Sequence, residues 1–312
     1  MKKEVVIFLT ILSAFYCLEE NLLRETLKTD KSQQEEWKGQ VAGHKGAIVQ
    51  LANGHLLKQV NQYETNVYPK VSQDEQIRKY LPTFYGISNT NGKAFLEMEN
   101  LLANFADESA LGTIDVKMGH RTFLENEKND PTFRPSLFKD KFGLDYSIQK
   151  LQGKPMTKYN FMKLRDTLSS TKSLGFRIDA SKLPGEAANN QYGKLKSPGD
   201  ILATFVRLFG AESSNIRAQL VDRLKEMRDG VENSTFFQTH EVIGSSLLIA
   251  YDNQNATAWI IDFGKTVPLE KGFQIDHRSD WLDGNHEDGY LKGMDNLIEL
   301  LEFGFISNGS LT

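Results

Sequence analysis

Cysteine is nearly missing from this chain. Cys17 is the single one in 312 residues, so neither a disulfide framework nor a Cys-based zinc site can be built within it. An excess of one charge is missing as well. The 41 acids stand against 37 bases, a net charge of −4. That balance carries no general attraction for nucleic acid or an anionic membrane, although it leaves room for a local basic pocket. No nucleic acid partner is expected. The apolar run Val5–Cys17 is too short for a comfortable membrane span, so no stable span is expected either. Repeats, coiled-coil heptads and low-complexity tracts are absent. What remains, 39% hydrophobic and 25% charged, is ordinary globular composition.

The basic start Met1-Lys2-Lys3, the apolar run and then Glu19-Glu20 make residues 1–18 read as a secretory signal peptide. Sequons at Asn233, Asn255 and Asn308 are compatible with secretion. An amphipathic or buried helix, or a misassigned start, is the other reading. Residues 19–36 form a charged, helix-permissive linker. Residues 37–58 look β-rich, punctuated by Gly43, Gly46 and the hairpin signal Asn53-Gly54. A helix is expected over 61–81, then strands over 83–87 and 94–98 around Asn89-Thr90-Asn91-Gly92. A small lobe of sheet plus helix therefore spans 37–100.

From 101 to 312 the pattern turns mostly helical. A helix pair is expected over 199–230, with Ile201, Leu202, Phe205 and Leu208, then Ile216, Leu220 and Leu224. A hairpin over 236–262 turns at 252–255, and a last helix runs over 288–303. Residues 182–197, rich in Gly, Asn and Lys, read as a loop.

Two motifs carry chemistry. In Ile114-Asp115-Val116-Lys117-Met118-Gly119, an acid and a base share one side of an extended segment, because alternate strand residues face the same way. In Ile261-Asp262-Phe263-Gly264-Lys265-Thr266, an Asp follows a hydrophobic run and precedes a Gly turn. Such a carboxylate is costly to bury unpaired, and a bound Mg²⁺ would resolve the cost. Together the motifs point to phosphoryl transfer, which needs a metal-holding carboxylate, cations for phosphates and a positioned hydroxyl. Lys58, following the Asn53-Gly54 hairpin, is either an exposed strand lysine or one that reaches nucleotide phosphates, with Glu64 a candidate ion-pair partner.

These residues resemble the inositol polyphosphate kinases, and among them the inositol 1,4,5-trisphosphate 3-kinases. The similarity runs from about Trp37 to Phe303. It rests on Asp115-x-Lys117-x-Gly119 with Arg121-Thr122, on Gly244 to Leu248, on Ile261 to Thr266, and on Gly284 to Leu291 with Asp295-Asn296. The stretch Thr167 to Ile178 is similar to the trisphosphate 3-kinases in particular. Any one motif is weak; five in order are specific.

The resemblance implies an α+β, two-lobed, kinase-like ATP-grasp fold: a small β-rich N-lobe, a larger α+β C-lobe, and a helical substrate-binding insertion over 123–182. It implies ATP and Mg²⁺ as cofactors. Lys58, the hinge residues Glu99 and Leu101, Asp115 and Asp262 would bind ATP. Asp115, Lys117 and Asp262 would be catalytic, and Asp262 with Ser246 would hold the metal. Lys117, Lys158, Arg165, Lys182 and Lys265 would bind inositol 1,4,5-trisphosphate, giving the 1,3,4,5-tetrakisphosphate. Lys158, Phe161 and Arg165 recur at i, i+3 and i+7, one helix face. The family pattern has Tyr where Phe161 stands, so one hydroxyl contact is missing. The long 121–158 segment favours the narrow 3-kinase over a broader multikinase. A non-catalytic, secreted inositol phosphate-binding protein is the alternative of another class.

Many of these kinases carry a basic calmodulin-binding helix. Leu22 to Trp37 mixes Arg24, Lys28 and Lys31 with Glu25, Asp30, Glu35 and Glu36, so calmodulin is not expected as a partner. A cytoplasmic placement is expected, because substrate and ATP are cytosolic, and the chain is expected to act as a monomer.

Overall fold

A computed structural model describes residues 35–37, 39–41, 47–105 and 108–304. The leader, Gly43, Gly46 and Asn308 lie outside the described residues. Strands β1 (Glu35–Glu36), β2 (Ile48–Gln50) and β3 (Leu56–Val60) open the chain. The end of the expected helical linker is thus extended. The β2–β3 hairpin turns at Asn53-Gly54, where Gly54 takes φ +86°, a left-handed conformation that glycine adopts at no steric cost.

Helix α1 (Gln62–Val71) is capped by Asn61, whose side chain accepts the Glu64 N–H. It buries Glu64, Val67, Tyr68 and Val71, the i, i+3, i+4, i+7 face of an amphipathic helix. It ends ten residues short of the expected limit. Pro69 withholds a backbone donor within its last turn, and only a 3₁₀ turn follows at Arg78–Tyr80. Strands β4 (Phe84–Thr90) and β5 (Lys93–Met98) complete an antiparallel sheet of order β1-β2-β3-β5-β4.

The second lobe is built on β6 (Gly112–Met118), the extended segment expected to carry Asp115 and Lys117. Helices α2 (Pro135–Phe142), α3 (Leu144–Leu151), α4 (Lys158–Leu168) and α5 (Thr171–Leu174) follow as an insertion, and the chain returns as β7 (Phe176–Lys182). The insertion is therefore shorter than 123–182, because its last seven residues pair with β6 in the central sheet.

Helices α6 (Pro198–Phe209) and α7 (Ser213–Glu232) form the expected pair. Strands β8 (His240–Val242), β9 (Ser246–Tyr251), β10 (Ala256–Ile261) and β11 (Thr266–Pro268) precede the final helix α8 (Tyr290–Phe303). The order β10-β9-β6-β7 is antiparallel throughout, and β11 pairs β8. The main core runs from Val67 and Tyr68 of α1 to Ile114, Val116 and Met118 of β6, then to the inner faces of α7 and α8. The insertion has its own small core of Phe138, Leu151, Met156 and Phe161. At roughly 1.5–3 kcal/mol for each buried side chain, four residues suffice only for a lobe that also leans on its neighbours.

Candidate active site between the lobes

Strand β6 brings the acid and the base together. Ile114, Val116 and Met118 are fully buried on the core side, so Asp115 and Lys117 face the other way. Both line a cavity of about 490 Å³ between the lobes. On the β7 side the register slips: Asp115 pairs with Ala180 and Val116 with Ile178. Asp179 is the extra residue of this bulge, and it also lines the cavity with Arg177.

Asp262 comes from the residue after β10. Its φ of +66° is a left-handed conformation that costs a non-glycine residue about 1–2 kcal/mol. The next residue explains how it is held. Phe263 is fully buried and packs edge-on against Tyr68 of α1 at 5.8 Å. Asn61 Nδ2 donates to the Gly264 carbonyl at 2.9 Å, so the helix cap also clips the two lobes together. The turn delivers the Asp262 carboxylate to Lys58, which donates to its Oδ1. Lys117 Nζ lies 3.7 Å from Oδ2, and Lys58 reaches Glu64 at 2.7 Å.

The charges respond to this arrangement. Burial works upward on Asp262, but Lys58 and then Lys117 outweigh it and lower its pKa to about 2. Burial works downward on Lys58, yet Asp262 and Glu64 more than reverse it, and the ammonium is raised. Asp115 behaves differently. It is 3% exposed, and burial pushes its carboxyl up to about 6, opposed by Lys117 and reinforced by Asp179 and Asp262. Its Oδ1 and the Ser246 Oγ are buried without a well-formed hydrogen bond, although the hydroxyl is close enough to temper the carboxyl.

Among the described residues no three His, Cys, Asp or Glu side chains converge on one point. A divalent ion would therefore have Asp262 and the unsatisfied oxygens of Asp115 and Ser246 on the protein side. That donor set suits a hard cation completing its shell with water and phosphate oxygens.

Farther along the cleft the cations gather. Arg165 lines it, donates to Thr122 Oγ1 at 3.0 Å and keeps a buried Nε without a partner. Burial and then the repulsion of Arg177 lower it to about 10. Arg177 is 1% exposed; it donates to Asp179 at 2.7 Å and to Thr171 at 2.9 Å, and lies 3.6 Å from Asp166. Lys265 lines the cleft and donates to the Thr122 carbonyl at 2.9 Å and to Glu127 at 2.8 Å. Lys158 sits just outside the lining and donates to the other oxygen of Glu127 at 2.7 Å.

Eight of the eleven sequence-derived site residues line the cavity: Lys58, Glu99, Leu101, Asp115, Lys117, Arg165, Asp262 and Lys265. The Glu99 carboxylate is spent on Thr83 and Asn104, so only backbone there is available to a ligand. Ser246, opposite both Lys117 and Ile261, is buried behind the lining. Lys182 is not brought to the cavity lining. It ends β7 opposite Thr113, five residues beyond Arg177. Phe161 is also corrected. It belongs to the insertion core, edge-on to Phe138 at 5.3 Å, and Met162 faces the cleft with Arg165 in its place. The cleft-side stripe of α4 is thus 158, 162, 165.

Sequence reasoning missed Trp37, Thr122, Arg177 and Asp179, all of them lining. The alternation that selected Asp115 and Lys117 extends to Arg177 and Asp179 once β7 is recognised as a strand.

Comparison with known proteins agrees with this geometry. The family model "inositol polyphosphate kinase" matches residues 95–302. An inositol-trisphosphate 3-kinase homolog of Caenorhabditis elegans is 38% identical over 268 residues, 84% of this chain and 54% of that protein. Human inositol-trisphosphate 3-kinase B is 38% identical over 271 residues, 84% of this chain and 28% of that protein. The chain thus spans about half or less of these relatives. An inositol phosphate multikinase of S. cerevisiae, solved with ADP and Mn²⁺, superposes with TM-score 0.52 at 18% identity, covering 78% of this chain and 97% of that one. That likeness establishes the shared fold. With the family model matched over both lobes' junction and most of the second lobe, this chain belongs to the inositol polyphosphate kinase family.

Proposed function

We propose that this chain transfers the γ-phosphoryl group of ATP to the 3-hydroxyl of inositol 1,4,5-trisphosphate, giving the 1,3,4,5-tetrakisphosphate, with Mg²⁺ as the required ion. The observation that carries this reading is the Asp262 carboxylate between Lys58 and Lys117, in one cleft with Asp115 and a cationic far end. The names of the 3-kinase relatives support the substrate.

Each residue has a task that follows from its surroundings. Lys58, held by Glu64, is placed to neutralise nucleotide phosphates. Asp262, ionised at any physiological pH, would hold the Mg²⁺ with Ser246 and Asp115 nearby. A bound Mg²⁺ would neutralise charge that develops on the phosphoryl oxygens. Lys117 lies between Asp262 and the substrate side, where a cation stabilises the transferring group. Asp115 is ionised above about pH 6 and orients the attacking hydroxyl. Arg165 and Lys265 bind substrate phosphates, the guanidinium through paired N–H donors. Leu101 and the Glu99 backbone would hold the adenine of a bound nucleotide.

We place the protein in the cytoplasm, because its substrates are made there; glycan at Asn233 or Asn255 on protein recovered from the medium would overturn that placement. The activity itself is tested by incubating the purified chain with Mg·ATP and a panel of inositol phosphates, resolving products by anion exchange. A single 1,3,4,5-tetrakisphosphate product is expected. Penta- or pyrophosphate products refute the narrow specificity, and binding without turnover refutes catalysis.

A further inference from the structure

We propose that Glu127, which sits behind Lys265 of the cleft lining, is a specificity-determining residue: it limits how densely phosphorylated an inositol the site accepts. The inference rests on reading the cleft as an inositol phosphate kinase site.

Glu127 lies in the 3₁₀ turn Glu125–Asn129, at the start of the insertion. Its carboxylate joins three parts of the chain. Oε1 accepts from Lys158 of α4 at 2.7 Å, and Oε2 accepts from Lys265 after β10 at 2.8 Å. Oε2 also accepts the backbone N–H of Leu124 at 3.0 Å. That last bond ties the carboxylate to its own turn. The turn is fixed from behind as well. Glu125 accepts from Trp281 Nε1 at 2.8 Å and from the backbone of His286 and Gly284 at 3.2 and 3.1 Å. Two carboxylates of one turn thus face opposite ways, one stapled to the 281–286 loop and one to the substrate lysines.

The consequence is a charge count. Lys158 and Lys265 alone would present two positive charges; with Glu127 the trio presents one. The Glu127 side chain is only 16% exposed, so water screens it poorly. Its two lysine bonds hold it ionised below the usual carboxylate range, against burial. A phosphate monoester brings about −1.5 to −2 charges at neutral pH. One such group is matched by the trio together with Arg165, which adds its repulsion to the burial that lowers Lys265. A further phosphate beside Lys158 and Lys265 would compete for lysines whose charge Glu127 already half neutralises. Repulsion between like charges in a partly dehydrated pocket is a sufficient basis for discrimination, by rejecting the wrong ligand rather than gripping the right one.

The test uses the full chain and its Glu127→Gln variant, which keeps an acceptor for Leu124 and loses the charge. Dissociation constants are measured by calorimetry for inositol 1,4,5-trisphosphate and inositol hexakisphosphate, at two ionic strengths. The trisphosphate constant is expected to move by less than about threefold, while the hexakisphosphate binds at least about tenfold tighter, about 1.4 kcal/mol. The gain should shrink at higher salt, as an electrostatic effect must, whereas a merely structural role would be insensitive to salt. An unchanged ratio of the two constants overturns the proposal. Should the Gln variant melt early, Lys158→Met reads the same balance from its half-exposed side, and there the hexakisphosphate must lose more affinity than the trisphosphate. A wild-type chain that binds neither ligand refutes the kinase-site reading itself, whereas wild-type binding with an unaltered ratio in the variants refutes the role of Glu127 alone.

Discussion

Replacing Lys58 with Met isolates the strongest charge dependence in the cleft. Lys58 serves two carboxylates, Asp262 and Glu64. Without it Asp262 still has Lys117 at 3.7 Å and a side chain that is 39% exposed, so water and one cation remain. Glu64 has neither: it is 4% exposed, and burial already raises its pKa in the intact protein. Breaking a buried pair costs about 3–5 kcal/mol. Because Lys58 keeps 17% of its side-chain exposure, the lower end applies, about 3 kcal/mol, or a melting temperature lower by roughly 6–12 °C.

The pH dependence fixes the cause. A carboxyl whose folded pKa lies above its unfolded value destabilises the fold at high pH, and the penalty fades as pH falls and the group protonates. Urea titration of Lys58→Met should therefore show a larger deficit at pH 8 than at pH 5. Adding Glu64→Gln removes the stranded charge and should restore stability to within about 1 kcal/mol of Glu64→Gln alone, a coupling read from the double-mutant cycle. A Lys58→Met protein as stable as wild type at pH 8, or a second substitution that restores nothing, refutes the reasoning.

Three further outcomes are expected. Asp262→Asn should lower turnover by about 10²–10³-fold, as losing a group that stabilises transition-state charge does, while calorimetry shows inositol phosphate affinity within a few-fold; near-normal turnover defeats the metal-holding role. The rate at limiting inositol substrate should fall on the acid side of pH about 6, where Asp115 protonates, and a flat profile down to pH 5 means its ionised form is not needed. Arg165→Ala should raise the KM for inositol phosphate by roughly 10–100-fold, the worth of one charged hydrogen-bonding group, and leave the KM for ATP alone, whereas Lys182→Ala should leave both within about twofold; equal effects of the two substitutions would put Lys182 back in the pocket.

Local patterns were legible wherever a single element carries its own signal. The Asn53-Gly54 and Asn91-Gly92 turns, the α6–α7 pair and α8 follow from turn chemistry and 3.6-residue periodicity, which need no partner to be read. Strand β7 was missed although its signal is there. Phe176, Ile178 and Ala180 alternate with Arg177, Asp179 and Ser181, but the stretch is short and directly follows helical segments, so it was absorbed into the insertion. Phe161 was misplaced for a related reason. Spacing on a helix says which residues share a face, but the neighbouring α2 and α3 decide which face is core.

The sequence by itself determined the chemistry that adjacent residues carry: Asp115 and Lys117 on one strand face, Asp262 at a strand end, and the ordered motifs of a kinase family. Only the tertiary structure decided which charges meet. Lys58 and Asp262 are 204 residues apart, and Glu127 finds Lys158 and Lys265 across 31 and 138 residues. No local propensity encodes such pairs. They arise because burying Phe263 against α1 and seating the insertion on the sheet leave each of these groups one place to satisfy its charge.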